Sequence, residues 1–174
     1  MGLDMYLAKK IYVSSADRGE LKISGIKSKV RPDKITYIIE EAGYWRKAKA
    51  IHQWFVDNVQ DGDDNCHEYY VSTDQLKNLL TLVNTVLKAS KMIKAKINNG
   101  EGWSKEKGNY KIIEDGYIIE DPTVAKKLLP TTEGSFFGTT DYNQYYIADL
   151  KLTKEIIEKA LEDSEGEYTY SSSW

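Results

Sequence analysis

Tyr44-Trp45-Arg46-Lys47-Ala48-Lys49-Ala50-Ile51-His52-Gln53-Trp54-Phe55-Val56-Asp57-Asn58-Val59 is where the chain changes its period. At 3.6 residues per turn Trp45, Ala48, His52, Phe55, Val56 and Val59 fall on one side, flanked by Tyr44 and Ile51, while Arg46, Lys47, Ala50, Gln53 and Asp57 point elsewhere. This is the pattern of an amphipathic helix laying one stripe on a core, here over residues 44–59. Upstream the period is two. Leu3, Met5 and Leu7 alternate with Asp4 and Tyr6, and Ile11 and Val13 follow, which predicts a strand over 3–13. Residues 35–41 read as a second strand, ended by Gly43, and the polar stretch 14–34 as a long excursion with a loose hairpin at 21–26.

Downstream, residues 68–71 read as a short strand or an extended lead-in. Ser72 and Gln75 form a capping box ahead of Leu76, Leu79, Leu80, Val83, Val86 and Leu87, a helical stripe expected to reach Lys94. Residues 98–111 read as a loop, and 111–120 as a hairpin around Asp115-Gly116. Residues 122–129 suggest a brief helix and Phe136-Phe137 a short strand, while 143–150 fit strand and helix equally. Thr153 is expected to cap a last, shorter helix, and 166–174 to fray as a tail. The expected architecture is a single α+β domain over 1–165. In it a mostly antiparallel sheet of about five strands packs on two long helices and a shorter C-terminal one.

The 174 residues are 41% apolar and 29% charged, in the range of one globular domain rather than a disordered chain. A net charge of −3 argues against non-specific nucleic-acid binding, which needs a surplus of cations. The charge is uneven: 11 Lys/Arg face 7 Asp/Glu in 1–60, but 5 face 13 in 113–174. That gradient fits complementary packing, or an acidic face. The start has neither a basic n-region nor a long apolar run, which predicts a cytoplasmic protein with no membrane association. A single cysteine, Cys66, excludes an internal disulfide, and with only His52 and His67 beside it no metal site or cofactor is expected. Asp61-Gly62-Asp63-Asp64-Asn65 starts like a calcium loop, but Cys66 and Ser72 stand where glycine and an acid belong. A Walker loop, a G-x-G-x-x-G turn, a nucleophile elbow and an H-E-x-x-H helix are all missing from the sequence.

The chemistry-bearing stretch is again 44–55. Arg46 and Lys49 would meet a phosphate near a helix N-terminus, Tyr44, Trp45 or Tyr6 would stack a base, and His52 with the Phe136-Phe137-Gly138 turn would close the wall. The competing reading puts Trp45, His52 and Phe55 in the core and leaves the cations solvated; His52 lies inside the apolar stripe rather than at its rim, which favours that reading for the histidine.

Three blocks carry a resemblance: Met-Gly-Leu-Asp-Met-Tyr-Leu at 1–7, Tyr-Trp-Arg-Lys-Ala-x-Ala-Ile-His-x-Trp-Phe-Val at 44–56, and Leu-Leu-Pro-Thr…Gly-x-Phe-Phe-Gly-x-x-x-Tyr at 128–142. Together the chain resembles a family of small hypothetical proteins carried by phages, prophages and bacteria. The resemblance brings no assigned functional residue. It implies a phage-type accessory protein that acts in the cytoplasm of a bacterial host and counters host defence. The expected function is binding of an anionic nucleotide-like molecule, sequestering a host-defence signal. Two alternatives stand beside it: a protein–protein inhibitor of a host defence protein using the acidic C-terminal half, and an enzyme acting on a nucleotide with His52 or a carboxylate as general base. Self-association is left open.

Overall fold

A computed structural model describes residues 2–25, 29–106, 108–133, 140–162 and 166–174. The period-two start forms β1 (Asp4–Tyr12), with Leu3, Met5 and Leu7 fully buried on one face. β2 (Tyr37–Arg46) pairs with it antiparallel, Met5 opposite Trp45 and Tyr12 opposite Tyr37, with a register shift between Leu7 and Ala8. After α1 (Lys49–Asn58) come β3 (Tyr69–Val71), α2 (Thr73–Ala89), the hairpin of β4 (Met92–Ser104) and β5 (Gly108–Ile119), α3 (Thr123–Leu128), α4 (Gln144–Glu162) and β6 (Glu167–Ser173). The main sheet has the order β2-β1-β6-β3, with every neighbour antiparallel, and β4–β5 is a separate two-stranded sheet. The expected α+β domain is therefore present, with two sheets where one was expected. No helix among the described residues is long and apolar enough to cross a membrane.

Helices cover one face of the main sheet. Trp45, Phe55, Leu76, Leu79, Leu150, Ile157 and Tyr170 are fully buried between the layers. Phe55 stacks on Tyr170 with ring centroids 3.9 Å apart and planes within 5°, joining α1 to β6. α2 packs on α4, and α4 also meets β2 and α1. The Ser72–Gln75 capping box forms as expected, with Gln75 N donating to Ser72 Oγ and Ser72 N donating to Gln75 Oε1. α3 likewise falls where a brief helix was expected.

Several boundaries depart from the sequence expectation. Tyr44, Trp45 and Arg46 are the end of β2, and the helix starts only at Lys49. Gly43 does not end the strand. It stands opposite Leu7, where α4 comes so close that a Cβ would lie 2.4 Å from Ile156 Cγ2. The lysines at 91–96 lie beyond α2, which stops at Ala89; Lys94 and Lys96 are on β4. Asp115-Gly116 is not a turn but mid-strand, with Asp115 opposite Lys96, ion-paired at 2.8 Å, and Gly116 opposite Ala95. The turn is at the far end, where Ser104 faces Gly108 and Gly108 takes φ +63°, so 98–111 is mostly strand rather than loop.

Residues 143–150 lead into and begin α4, so Thr153 is interior rather than a cap. Its Oγ1 donates to the Asp149 carbonyl at 2.7 Å and accepts from Trp45 Nε1 at 2.9 Å. At 19 residues α4 is longer than α1 or α2, not the shorter helix expected. The expected tail is β6, which lies between β1 and β3 with Tyr168, Tyr170 and Ser172 buried. Residues 21–25 form no strand, and the expected Phe136-Phe137 strand lies outside the described residues.

Candidate functional site

The chain turns sharply between β2 and α1. Lys47 adopts φ +60°, its N–H donates to the Leu3 carbonyl at 2.8 Å, and Lys49 N donates back to Lys47 O at 2.9 Å around Ala48 (φ −77°, ψ 72°). That is an inverse γ-turn, which delivers the chain into α1. Ala48, at the N-cap, has no side-chain group to cap the helix. The amides of Lys49 and Ile51 are taken up by the Lys47 and Ala48 carbonyls at 2.9 and 3.1 Å, and the positive end of the α1 dipole lies at this corner. Arg46, Lys47 and Lys49 stand around this corner.

The corner opens on a cavity of about 330 Å³. Its walls are residues 46–51, Asn98, Asn99 and Gly100 of β4, Thr131 and Asp141 from the segments leading towards α4, and Asn143, Tyr145, Tyr146, Asp149 and Leu150 of α4 and its cap. Thr131 is fixed by a bond from its Oγ1 to Thr140 O at 2.8 Å, and Tyr146 by a bond from its hydroxyl to Leu129 O at 3.0 Å. Asn143 is the N-cap of α4: its Oδ1 accepts from Tyr145 N at 2.9 Å and Tyr146 N at 3.4 Å. The residue is 1% exposed, yet its Nδ2 has no hydrogen-bond partner among the described residues. Of the four such buried polar atoms among the described residues, this is the one in the cavity wall.

The site's charges are perturbed by burial. Lys49 is only 4% exposed, and desolvation lowers the pKa of its amine while the carboxylates of Glu133 and Asp141 pull it back up. Asp149 is half-buried, and no hydrogen bond reaches its carboxyl among the described residues. Desolvation pushes its pKa up to about 7. Burial also raises the Tyr146 phenol. Arg46 and Lys47 form no ion pair among the described residues. Chemically, the cavity offers cations and the positive end of a helix dipole at one end and neutral or protonatable donors at the other.

The residues expected to form one site are divided by this geometry. Arg46 and Lys49 line the cavity. Trp45 does not, because in β2 it alternates with Arg46 and faces inward, fully buried, tilted against Phe55 and bonded to Thr153. Tyr44 and Tyr6 are cross-strand neighbours on the uncovered face of the sheet, ring centroids 5.4 Å apart, and the Tyr44 hydroxyl donates to Asp4 Oδ1. His52 is 1% exposed and held from both sides, Nδ1 to the Tyr170 hydroxyl at 2.8 Å and Nε2 to Asp64 Oδ1 at 3.1 Å. A carboxylate only accepts, so Nε2 carries the proton and Nδ1 accepts from the tyrosine. Desolvation lowers the pKa of His52 against the pull of Asp64. It is a core clamp between α1, β6 and the 61–65 turn, and it has no access to the cavity as a general base. Phe136, Phe137 and Gly138 lie outside the described residues. Sequence reading missed Asp141, Asn143, Tyr145 and Asp149. The available signal was Asn143 followed by the helical stripe Tyr146, Ile147, Leu150, which marks an N-cap beside the hydroxyl-rich 128–142 block.

No protein-family model, curated protein or solved structure matches the chain.

Proposed function

We propose that the protein binds a small anionic, nucleotide-like molecule in this cavity and, as the resemblance to phage-borne proteins suggests, acts as an accessory protein that sequesters a host-defence signal of that kind. The observation that carries the reading is the convergence of Arg46, Lys47 and Lys49 with the uncapped N-terminus of α1 on one concave site. A phosphate there would meet a guanidinium able to bind it in a fork, two ammonium groups and the positive end of the α1 dipole. A volume of about 330 Å³ is at the small end of ligand cavities, which favours a molecule of mononucleotide size over a dinucleotide. The stacking partner is reassigned from Trp45 to Tyr145, whose ring borders the cavity and whose hydroxyl is held by Glu114 Oε1 at 2.8 Å.

Native mass spectrometry of the full chain with a panel of ribonucleoside mono- and diphosphates tests this. The expected result is a 1:1 adduct with at least one of them, lost in the Arg46→Ala, Lys49→Met double variant. Adducts of equal abundance in wild type and variant would overturn the site.

A further inference from the structure

The α4 end of the cavity differs in character from the corner that carries the cations. Its polar groups are the Asn143 amide and the Asp149 carboxyl, set beside the Tyr146 ring and Leu150. Asn143 Oδ1 is committed to capping α4, so the orientation of the amide is fixed and Nδ2 must present its hydrogens away from the helix. A buried donor without a partner costs about 1–3 kcal/mol, a cost that a bound acceptor would remove. Among the described residues no donor bonds the Asp149 carboxyl, so that group gains most by keeping its own proton and donating it.

We propose that the cavity takes a two-ended ligand, with an anionic group at Arg46 and Lys49 and, at the α4 end, a neutral group whose oxygen or ring-nitrogen atoms accept from Asn143 Nδ2 and from the Asp149 carboxyl, as the edge of a nucleobase does. This rests on the anion-binding reading above and adds the ligand's second end and a dependence on pH. Burial keeps the Asp149 carboxyl protonated up to about pH 7, so the donor disappears above it. The other charged or titratable groups around the site among the described residues are Arg46 and Lys47 at the β2–α1 corner, Lys49 on α1, Asp141 and Glu133 ahead of α4, Tyr145 and Tyr146 on α4, and Glu114 on β5, which accepts from Tyr145 and Asn99. Among the described residues β4 lines the cavity with Asn98, Asn99 and Gly100. Lys49 loses charge in the same direction as Asp149 loses its proton, so the two contributions must be separated by substitution.

The test is titration calorimetry of the full chain at pH 6 and pH 8 with two kinds of probe whose charge is constant across that range: sulfate, and the 3′,5′-cyclic mononucleotides of the four bases. Sulfate reads the anionic end alone. At least one cyclic nucleotide is expected to bind about tenfold or more tighter than sulfate at pH 6, the worth of one or two hydrogen bonds. Its affinity should fall about tenfold by pH 8, as expected for one linked proton with a pKa near 7. Asp149→Asn keeps a donor at every pH and should abolish most of that fall. Asn143→Ser keeps an oxygen to cap α4 and should weaken the nucleotide about tenfold while leaving sulfate unchanged. Sulfate binding without tighter nucleotide binding, or an unchanged pH profile in Asp149→Asn, would overturn the two-ended ligand and leave the anion site standing. Absence of binding by sulfate and every nucleotide would overturn both.

Discussion

Replacing Asp149 by Asn removes a carboxyl whose protonation the fold favours, and the consequence for stability has a defined sign. In the unfolded chain the carboxyl titrates near 3.8, and in the fold near 7. Between those values the unfolded state has lost its proton and the folded state has kept it. Wild-type stability therefore declines as pH rises from about 4 to about 7, relative to a variant with nothing to titrate there, and the deficit is constant above. A shift of about three pKa units at about 1.4 kcal/mol each sets a ceiling of about 4 kcal/mol. Partial exposure of the side chain to the cavity reduces that to about 1–3 kcal/mol. Urea unfolding of both proteins at half-unit steps from pH 4.5 to 8.5 measures it, and His52 and Lys49 cancel because both proteins contain them. The gap should open in favour of the Asp149→Asn variant as pH rises and then level off. A gap that stays the same at pH 5 and pH 8 would refute the reasoning, because the carboxyl would then not be desolvated.

Three further outcomes follow from the packing. Gly43→Ala drives a methyl group to within 2.4 Å of Ile156 Cγ2 and should cost about 1–3 kcal/mol, and in the Ile156→Ala background, where that methyl is gone, the same substitution should cost much less, as read by thermal melts. Ser72→Ala breaks the capping box of α2 and should lower the urea midpoint by the equivalent of about 1 kcal/mol. Deleting 167–174 removes the strand between β1 and β3 and with it the Phe55–Tyr170 stack. Circular dichroism should then show loss of cooperative unfolding, whereas a melting temperature within a degree or two of wild type would mean that the segment adds nothing.

The sequence made the α+β class legible because local period and fold agree over Leu3–Leu7 and over the stripe Leu76, Leu79, Val83 and Val86, all of which are buried. It misled where a long-range partner decides the conformation. Asp115-Gly116 has turn chemistry, but Lys96 and Ala95 across the hairpin hold it extended. Tyr168, Thr169 and Tyr170 look like a polar terminus until β1 and β3 flank them. The same limit applies to the site. Arg46 and Lys49 stood out as cations beside aromatics, yet the strand that ends at Arg46 turns Trp45 inward and away from them. Asp149 gave no local sign, because its desolvation comes from the packing of α4 against the α1 corner, about a hundred residues away in sequence.

The claim that the α1 corner holds the anionic end of a ligand is tested most directly by a crystal structure of the full chain grown with the tightest-binding nucleotide. The account predicts phosphate oxygens about 3 Å from the Arg46 guanidinium and the Lys49 amine, with the base turned toward Asn143 and Asp149. A nucleotide lying instead on the uncovered sheet face between Tyr6 and Tyr44, with the cavity holding only water, would contradict it.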